Sequence, residues 1–145
     1  MKIRTSIAAA GAAAVLAGAG AVMLPAVASA HSTTHTLKFT AVQLGSTQFS
    51  QTSGGSAEKD VNGAGKPIGF DAINITANPT THQPTAGSVA LSTNGGFLYG
   101  TLKFGKAITG TVTGGTGTFK GATGTIAVKS LSSTRNAVTI TYTTP

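Results

Sequence analysis

Residues 108–143 read ITGTVTGGTGTFKGATGTIAVKSLSSTRNAVTITYT, and this stretch decides the fold class. In its last part Val138, Ile140 and Tyr142 share one parity and alternate with alanine and threonine residues. Alternation with a period of two is typical of strands that bury one face and expose the other. The stretch therefore predicts strands joined by short turns, one of them rich in glycine. Their expected positions are 108–113, 125–129 and 137–143.

The sequence upstream shows the same pattern and no helical one. Glycine, threonine and serine make up 51 of the 115 residues after position 30, a spacing too dense for an amphipathic helix. Five further strands are predicted near 36–44, 57–62, 66–77, 87–93 and 96–104. Eight short strands without helices predict an all-β sandwich or barrel, and closure into a barrel removes exposed strand edges. We expect an eight-stranded antiparallel β-barrel with a small apolar lumen, wide enough for one small ligand.

The first 30 residues have the three parts of a secretory signal peptide. Lys2 and Arg4 give a basic start, an uncharged alanine-rich stretch follows, and Ala28-Ser29-Ala30 supplies the small residues of a cleavage site. A membrane anchor is the alternative, but a spanning helix needs about 20 strongly apolar residues, and alanine and glycine dominate here. We therefore expect a protein that is secreted or associated with the cell envelope, without a membrane span. The expected division is a signal peptide at 1–30 and a single barrel domain at 31–145.

Missing residue types exclude several classes of function. The chain has no cysteine, which excludes disulfides, thiolate metal sites and a cysteine nucleophile. His31, His35 and His82 do not form a metal-ligand pattern, so we predict neither a metal nor a cofactor. After position 30 the net charge is +5, from eight scattered basic residues and three acidic ones. Because no basic stripe or recognised module is present, nucleic acid is not an expected partner.

The glycine-rich stretch from Thr113 to Gly121 has a composition similar to a dinucleotide-binding turn. That chemistry needs a strand before the glycines, a helix after them, and an acidic residue about 20 positions later. Here Lys120 stands where the third glycine would be, and no acidic residue follows Asp71. A tight turn between strands is therefore the interpretation that we favour.

Threonines at a spacing of 14 residues suggest a second, structural role. Thr111, Thr125 and Thr139 have this spacing, which is compatible with a solenoid that presents a flat threonine face. The period fails upstream, where Phe97 and Gln83 occupy the corresponding positions. Consecutive strands of similar length would give the same spacing, and exposed threonine is common on strands.

Three segments carry a resemblance to a known family. They are GKPIGF at 65–70, VALSTNGGFLYGTL at 89–102 and AITGTVTGGTGTFKGATGTI at 107–126. These segments resemble the allene oxide cyclase and dirigent barrel superfamily, and the exported chain looks like a bacterial secreted dirigent-like protein. The resemblance implies an eight-stranded barrel with an apolar lumen, commonly a homotrimer.

The same resemblance implies little about a reaction. Plant cyclases of this family use a glutamate on the first strand, whereas residues 36–44 contain no carboxylate and Gln43 is the polar residue expected to point inward. Dirigent proteins bind phenoxy radicals and steer their coupling with acidic and basic lumen residues. Asp60 lies near the acidic stretch of those proteins, and Asp71 has no clear equivalent.

Asp71 is the candidate for catalysis. It shares strand parity with Ile73 and Ile75, so on a regular strand the three side chains point to the same side. A carboxyl group inside an apolar lumen has a raised pKa that suits general acid or base catalysis. The alternative is a strand-end acid that reaches solvent, and one carboxylate does not make a catalytic constellation. Glu58 and Asp60 are interpreted as residues of a solvated loop or edge.

Further residues are candidates for ligand contacts in the lumen. Tyr99 and Tyr142 would place hydroxyl groups in a pocket, although buried tyrosines more often serve packing. The predicted ligand-binding residues are Gln43, Ile73, Ile75, Tyr99 and Tyr142.

Three hypotheses about function remain open. The first is a secreted dirigent-like barrel that binds a small apolar or phenolic ligand and steers its reaction without strong catalytic groups. The second is a structural or adhesive envelope protein that uses its threonine-rich surface. The third is an isomerase or cyclase of the allene oxide cyclase type. The sequence leans away from an enzyme, because its few carboxylates do not form a recognisable active-site pattern.

Overall fold

Eight antiparallel strands dominate the computed structural model, which describes residues 32–145. Their bounds are β1 (Thr33–Ser50), β2 (Ser53–Val61), β3 (Pro67–Ala77), β4 (Pro84–Thr93), β5 (Gly96–Lys103), β6 (Ile108–Gly115), β7 (Thr123–Ser132) and β8 (Arg135–Thr144). Each strand pairs with its neighbours along the chain, and β1 pairs with β8 to close the sheet. The predicted eight-stranded antiparallel barrel is confirmed.

Two expectations concern the first 30 residues and helices that could cross a membrane. The signal peptide expected at 1–30, with cleavage after Ala30, lies outside the described residues. Within residues 32–145, no helix combines the length and the hydropathy that crossing a bilayer requires.

The predicted alternation identifies the side chains that point into the barrel. On β8, Val138, Ile140 and Tyr142 are buried, as the sequence pattern predicts. On β3, Asp71, Ile73 and Ile75 are buried or half-buried between exposed neighbours. One apolar core therefore runs through the barrel, because every strand except β2 contributes apolar residues to it.

The largest departures from the predicted strand bounds are the end of β1 and the start of β2. β1 continues to Ser50 and β2 begins at Ser53, so the two strands form a polar hairpin that extends the barrel wall. Register shifts between Gln43 and Gly45, and again near Ser50, accommodate this extension. The sequence of the extension shows little apolar alternation. Its backbone pairing, and not the burial of its side chains, holds it in the sheet.

The glycine-rich stretch forms a turn that fills one end of the barrel. After β6 the chain makes one turn of 3-10 helix, η1 (Gly117–Phe119), before β7 begins. Gly117 has a φ of 59°, and a Cβ atom there would collide with the carbonyl oxygen of Gly95. Phe119 is buried and packs edge-on against Tyr142, with 5.5 Å between ring centroids. We call this end of the barrel the closed end, and the opposite end the mouth.

The threonine spacing reflects strand pairing and not a solenoid. Thr111 pairs with Thr125, and Thr125 pairs with Thr141 instead of Thr139. Thr101 and Thr36 extend this row onto β5 and β1. The result is one threonine row on the outside of five neighbouring strands, which ordinary barrel pairing produces.

Candidate functional site

A cavity of about 230 Å³ lies inside the barrel and reaches the mouth. Most of its surface is apolar, because the inward parity of most strands carries aliphatic or aromatic residues. Its apolar lining includes Phe39, Ile73, Ile75, Val89, Leu102 and Val128. At the closed end the lumen is filled by Phe119, Ala122 and Tyr142, all of which are buried.

All three acidic residues of the sequence lie on the inside of the barrel. Glu58, Asp60 and Asp71 are 6%, 0% and 7% exposed, and we call them the carboxyl cluster. Glu58 on β2 stands directly opposite Asp71 on β3, and Asp60 lies two residues further along β2 on the same face. Glu58 and Asp71 line the cavity, while Asp60 has no exposed surface at all.

The cluster lacks hydrogen-bond partners within the described part of the chain. Both carboxylate oxygens of Asp60 and the Oδ1 atom of Asp71 are buried and accept no hydrogen bond there. An isolated ionised carboxylate in such surroundings is strongly destabilised, so the group holds its proton instead. A protonated carboxyl group can donate to its neighbour, and Asp60 and Asp71 are close enough for such a bond.

The pKa values of the cluster follow from this burial. Desolvation, together with repulsion from Asp60 and Glu58, raises the pKa of Asp71 to about 8. Desolvation and then repulsion from Glu58 raise the pKa of Asp60 to about 7, although the neighbouring Asp71 carboxyl group opposes the rise. Burial also raises the pKa of Glu58. Asp71 is therefore largely protonated at neutral pH, and Asp60 is partly protonated.

Five of the six predicted site residues line the cavity. Asp71, Ile73 and Ile75 share the inward face of β3, as their parity predicts. Gln43 lines the cavity from β1, and its main-chain N–H donates to the carbonyl oxygen of Thr134, 2.9 Å away, in the β7–β8 turn. Their proposed contacts with a ligand stay predictions.

The side chains of the two tyrosines are placed differently from those of the other four residues. Tyr99 borders the cavity, but it is 40% exposed and its ring stacks on Phe97, 6.2 Å away, on the outer face of β5. The inward parity of β5 belongs to Leu98 and Leu102. Tyr142 does point inward, yet it packs between His35 and Phe119 at the closed end and does not line the cavity.

The interpretation of Glu58 and Asp60 as solvated residues is wrong. β2 pairs along its whole length with β1 and β3, and this register turns both acids into the barrel while Lys59 lies between them. The sequence of β2 shows no apolar alternation that would identify its inner face, because the residues before Glu58 are mainly glycine and serine. The sequence does contain a signal for a hairpin, because Asn62 lies in the short connection between β2 and β3. In the structure its Oδ1 atom accepts hydrogen bonds from the N–H groups of Ala64 and Lys66. Such a turn predicts a hairpin, and pairing the hairpin brings Glu58 opposite Asp71.

Within residues 32–145, no group of three or more histidine and carboxylate side chains has the geometry to hold a metal ion. What the arrangement offers is two carboxyl groups, those of Glu58 and Asp71, facing an apolar cavity, where a carboxyl group that holds its proton can donate a proton or a hydrogen bond.

Comparisons with known proteins support the fold. No family model matches the chain, and no curated protein matches it. Among solved structures, the chain is similar to one titled "Pyocyanin demethylase", with a TM-score of 0.60 and 15% sequence identity. The match covers 74% of this chain and 99% of that chain. At this level of identity the likeness establishes a shared barrel fold.

Proposed function

We propose that this protein binds a small apolar or aromatic molecule in the lumen of its barrel. The observation that carries the proposal is the cavity of about 230 Å³, which has mostly apolar walls and opens at the mouth. An apolar protein cavity of roughly 150 Å³ is large enough for benzene, so this one suits a molecule with one or two rings. Concave, mostly apolar sites with a few convergent polar groups are the usual form of small-molecule sites.

Two likenesses support this proposal. The structure titled pyocyanin demethylase has the same kind of barrel, and its title describes a protein that acts on a small molecule. The sequence resemblance to dirigent and allene oxide cyclase barrels also implies a lumen that receives a small ligand. The signal-peptide pattern of residues 1–30 supports action outside the cytoplasm, so we include export in the proposal.

A charge placed in the lumen tests the proposal. Ile75 is half-buried and lines the cavity, so Ile75→Lys puts an ammonium group where an apolar ligand would lie. We expect saturation-transfer NMR with one- and two-ring aromatic probes to show saturable binding to the wild-type protein. The variant should weaken that binding at least about tenfold, which corresponds to about 1.4 kcal/mol.

The neighbouring residue offers a matched control. Thr76 is exposed on the outer face of β3, so Thr76→Lys adds the same charge outside the lumen and should leave binding unchanged. Circular dichroism should show both variants folded. A wild-type protein that binds no aromatic probe, or two variants that bind equally well, would contradict lumen binding.

Steering of a ligand's reaction is a second candidate function. It is favoured by the carboxyl cluster, because Asp71 places a largely protonated carboxyl group against the cavity, directly opposite Glu58. A separate one-electron oxidant would convert two phenol molecules into phenoxyl radicals, which form one bond with each other. Asp71 would donate a hydrogen bond to a phenolic oxygen and orient that radical before the bond forms. We expect the wild-type protein to produce an enantiomeric excess and Asp71→Asn to give a racemic product with probe binding retained. An equal excess from both proteins would exclude this role for Asp71.

A further inference from the structure

A cleft of about 350 Å³ adjoins the cavity at the mouth of the barrel. It lies between the hairpin of β1 and β2 and the connection that joins β3 to β4. Ser46, Gly55 and Ile75 line both the cleft and the cavity, so the two spaces meet at these residues. We call this second space the outer cleft.

The outer cleft continues the inner face of the barrel towards the rim. Gln48 on β1 pairs with Gly54 on β2, and Gly54 pairs with Ile75 on β3. Ser46 and Gln48 are two residues apart in a regular part of β1, so their side chains point to the same side of the sheet. Ser46 lines the cavity as well, whereas Gln48 and Gly54 line only the outer cleft. A molecule too long for the lumen therefore extends along this face into the outer cleft.

The outer cleft is polar and contains almost no charge. Most of its side chains carry hydroxyl or amide groups, which both donate and accept hydrogen bonds. Among residues 32–145, no lysine, arginine, aspartate or glutamate lines it, and His82 is its one ionisable side chain. A charged ligand group would lose water there without gaining a fixed counter-ion, whereas a hydroxyl or amide group finds matching partners. Ser46, Gln48 and Gln51 are exposed, so such a group reaches them directly from the mouth.

Two hydrogen bonds hold the walls of the outer cleft together. The N–H group of Ala77 donates to the carbonyl oxygen of Thr52, 2.8 Å away, and joins the hairpin turn to the end of β3. The Nδ1 atom of His82 lies 3.2 Å from the carbonyl oxygen of Gln51. Because a carbonyl oxygen only accepts, Nδ1 carries the proton, and Nε2 of the neutral ring remains an acceptor. The walls are thus in place before a ligand arrives, which lowers the entropy cost of binding.

We propose that the outer cleft is a second subsite, which binds an uncharged polar group joined to the apolar part of the ligand in the lumen. This inference rests on the proposed function and extends its ligand to a molecule with an apolar end and a hydroxyl- or amide-bearing end. The apolar end contacts walls such as Val89 and Leu102, and the polar end lies beside Gln48 and His82. A space of about 350 Å³ accommodates a six-membered ring with its hydroxyl groups, since roughly 150 Å³ holds benzene.

Three probes with one aromatic ring system test the subsite. 2-Naphthol has no polar extension, 2-naphthyl β-glucoside adds an uncharged sugar, and 2-naphthyl β-glucuronide adds a sugar with a carboxylate. Calorimetry on the whole protein at about pH 7 and about 0.15 M salt, which screens the surface charges, compares the three. We expect the glucoside to bind at least about fivefold more tightly than naphthol, as one or two net hydrogen bonds supply. The glucuronide should bind more weakly than the glucoside.

A substitution in the outer cleft assigns this gain to its location. Gln48→Leu keeps the size of the side chain and removes its hydrogen bonds, so it should weaken glucoside binding about fivefold. Naphthol binding should not change, because Gln48 does not line the cavity. Asn74→Leu is the matched control, since it removes an exposed amide from the outer face of β3, away from both spaces. It should leave the binding of both probes unchanged.

NMR on the wild-type protein locates the sugar without a substitution. The side-chain resonances of Gln48 and His82 should shift with the glucoside and stay in place with naphthol. The methyl resonances of Ile73, which lines the cavity, should shift with both probes.

The outcomes separate this inference from lumen binding itself. A glucoside that binds no more tightly than naphthol overturns the inference and leaves the proposed function intact, whereas binding of neither probe overturns both. A glucuronide that binds as tightly as the glucoside overturns the preference for an uncharged group. A gain that survives Gln48→Leu, or Gln48 and His82 resonances that the glucoside does not move, would place the sugar elsewhere and overturn the subsite.

Discussion

Asp60 has no exposed surface, and neither of its carboxylate oxygens accepts a hydrogen bond from the described part of the chain. Such a group destabilises the folded protein whenever it is ionised, and apolar residues of similar volume often stabilise a protein in its place. The same holds for Asp71, which faces the cavity. Destabilising groups of this kind are typical of functional sites, where activity limits stability. The carboxyl cluster therefore fits a site better than a packing role.

The free energy of unfolding should decrease as the pH rises from about 4 to about 8. The pKa of Asp71 is about 8 in the folded protein and that of an unfolded aspartate is about 4, so the folded state binds more protons in this window. Proton release then favours the unfolded state, and Asp60, with a folded pKa of about 7, adds to the effect. Urea denaturation at pH 5 and pH 8 should differ by at least about 2 kcal/mol.

An asparagine variant provides the control for this pH dependence. Asp71→Asn resembles the protonated acid in shape and does not ionise, so its stability should match the wild type at pH 5 and exceed it at pH 8. A wild-type stability that is flat or that rises between these pH values would contradict the buried, protonated state of Asp71.

At the scale of the strand, the sequence predicts those elements whose inward face is apolar. β8 and β3 follow directly from the alternation of aliphatic residues, and this alternation also places Asp71 inside. β2 is different, because the pairing of its backbone and not its composition decides which side chains turn inward. Tyr99 illustrates a second limit: both parities of β5 carry large apolar residues, so alternation does not identify its inner face.

The short helix η1 is the element that fills the closed end. Phe119 is buried against Tyr142, so Phe119→Ala leaves a cavity beside a ring that has lost its partner. We expect a loss of about 3–5 kcal/mol in the free energy of unfolding, measured by urea denaturation.

An exposed aromatic residue on the adjoining strand gives the comparison. Phe97 is 45% exposed on the outer face of β5, and Phe97→Ala should cost much less than Phe119→Ala. Similar losses for the two variants would show that Phe119 does not act as the filling of the barrel end.

Across the whole molecule, charge is separated between inside and outside. The three acidic side chains are buried, and the basic side chains within residues 32–145 are exposed or half-buried on the outer surface. The effective charge near neutral pH is then more positive than the formal charge, because the buried acids hold their protons.

Electrophoretic mobility measures this separation directly. The double variant Asp60→Asn/Asp71→Asn should have nearly the mobility of the wild type at pH 5, where both acids are protonated. At pH 9 it should move more strongly towards the cathode, because the wild type has by then ionised both groups. A clear difference in mobility at pH 5 would show that the acids are ionised and would contradict the separation.

The pairing of β1 with β8 also determines where a tag or linker can be attached to the protein. Thr33 pairs with Thr144 beside the closed end, so the first and last strands end next to each other and away from the mouth. A tag, a fusion partner or a surface linker joined at either of these positions emerges on the side opposite the entrance to the cavity. The barrel is therefore suited to oriented immobilisation, with every copy presenting its mouth to the solution.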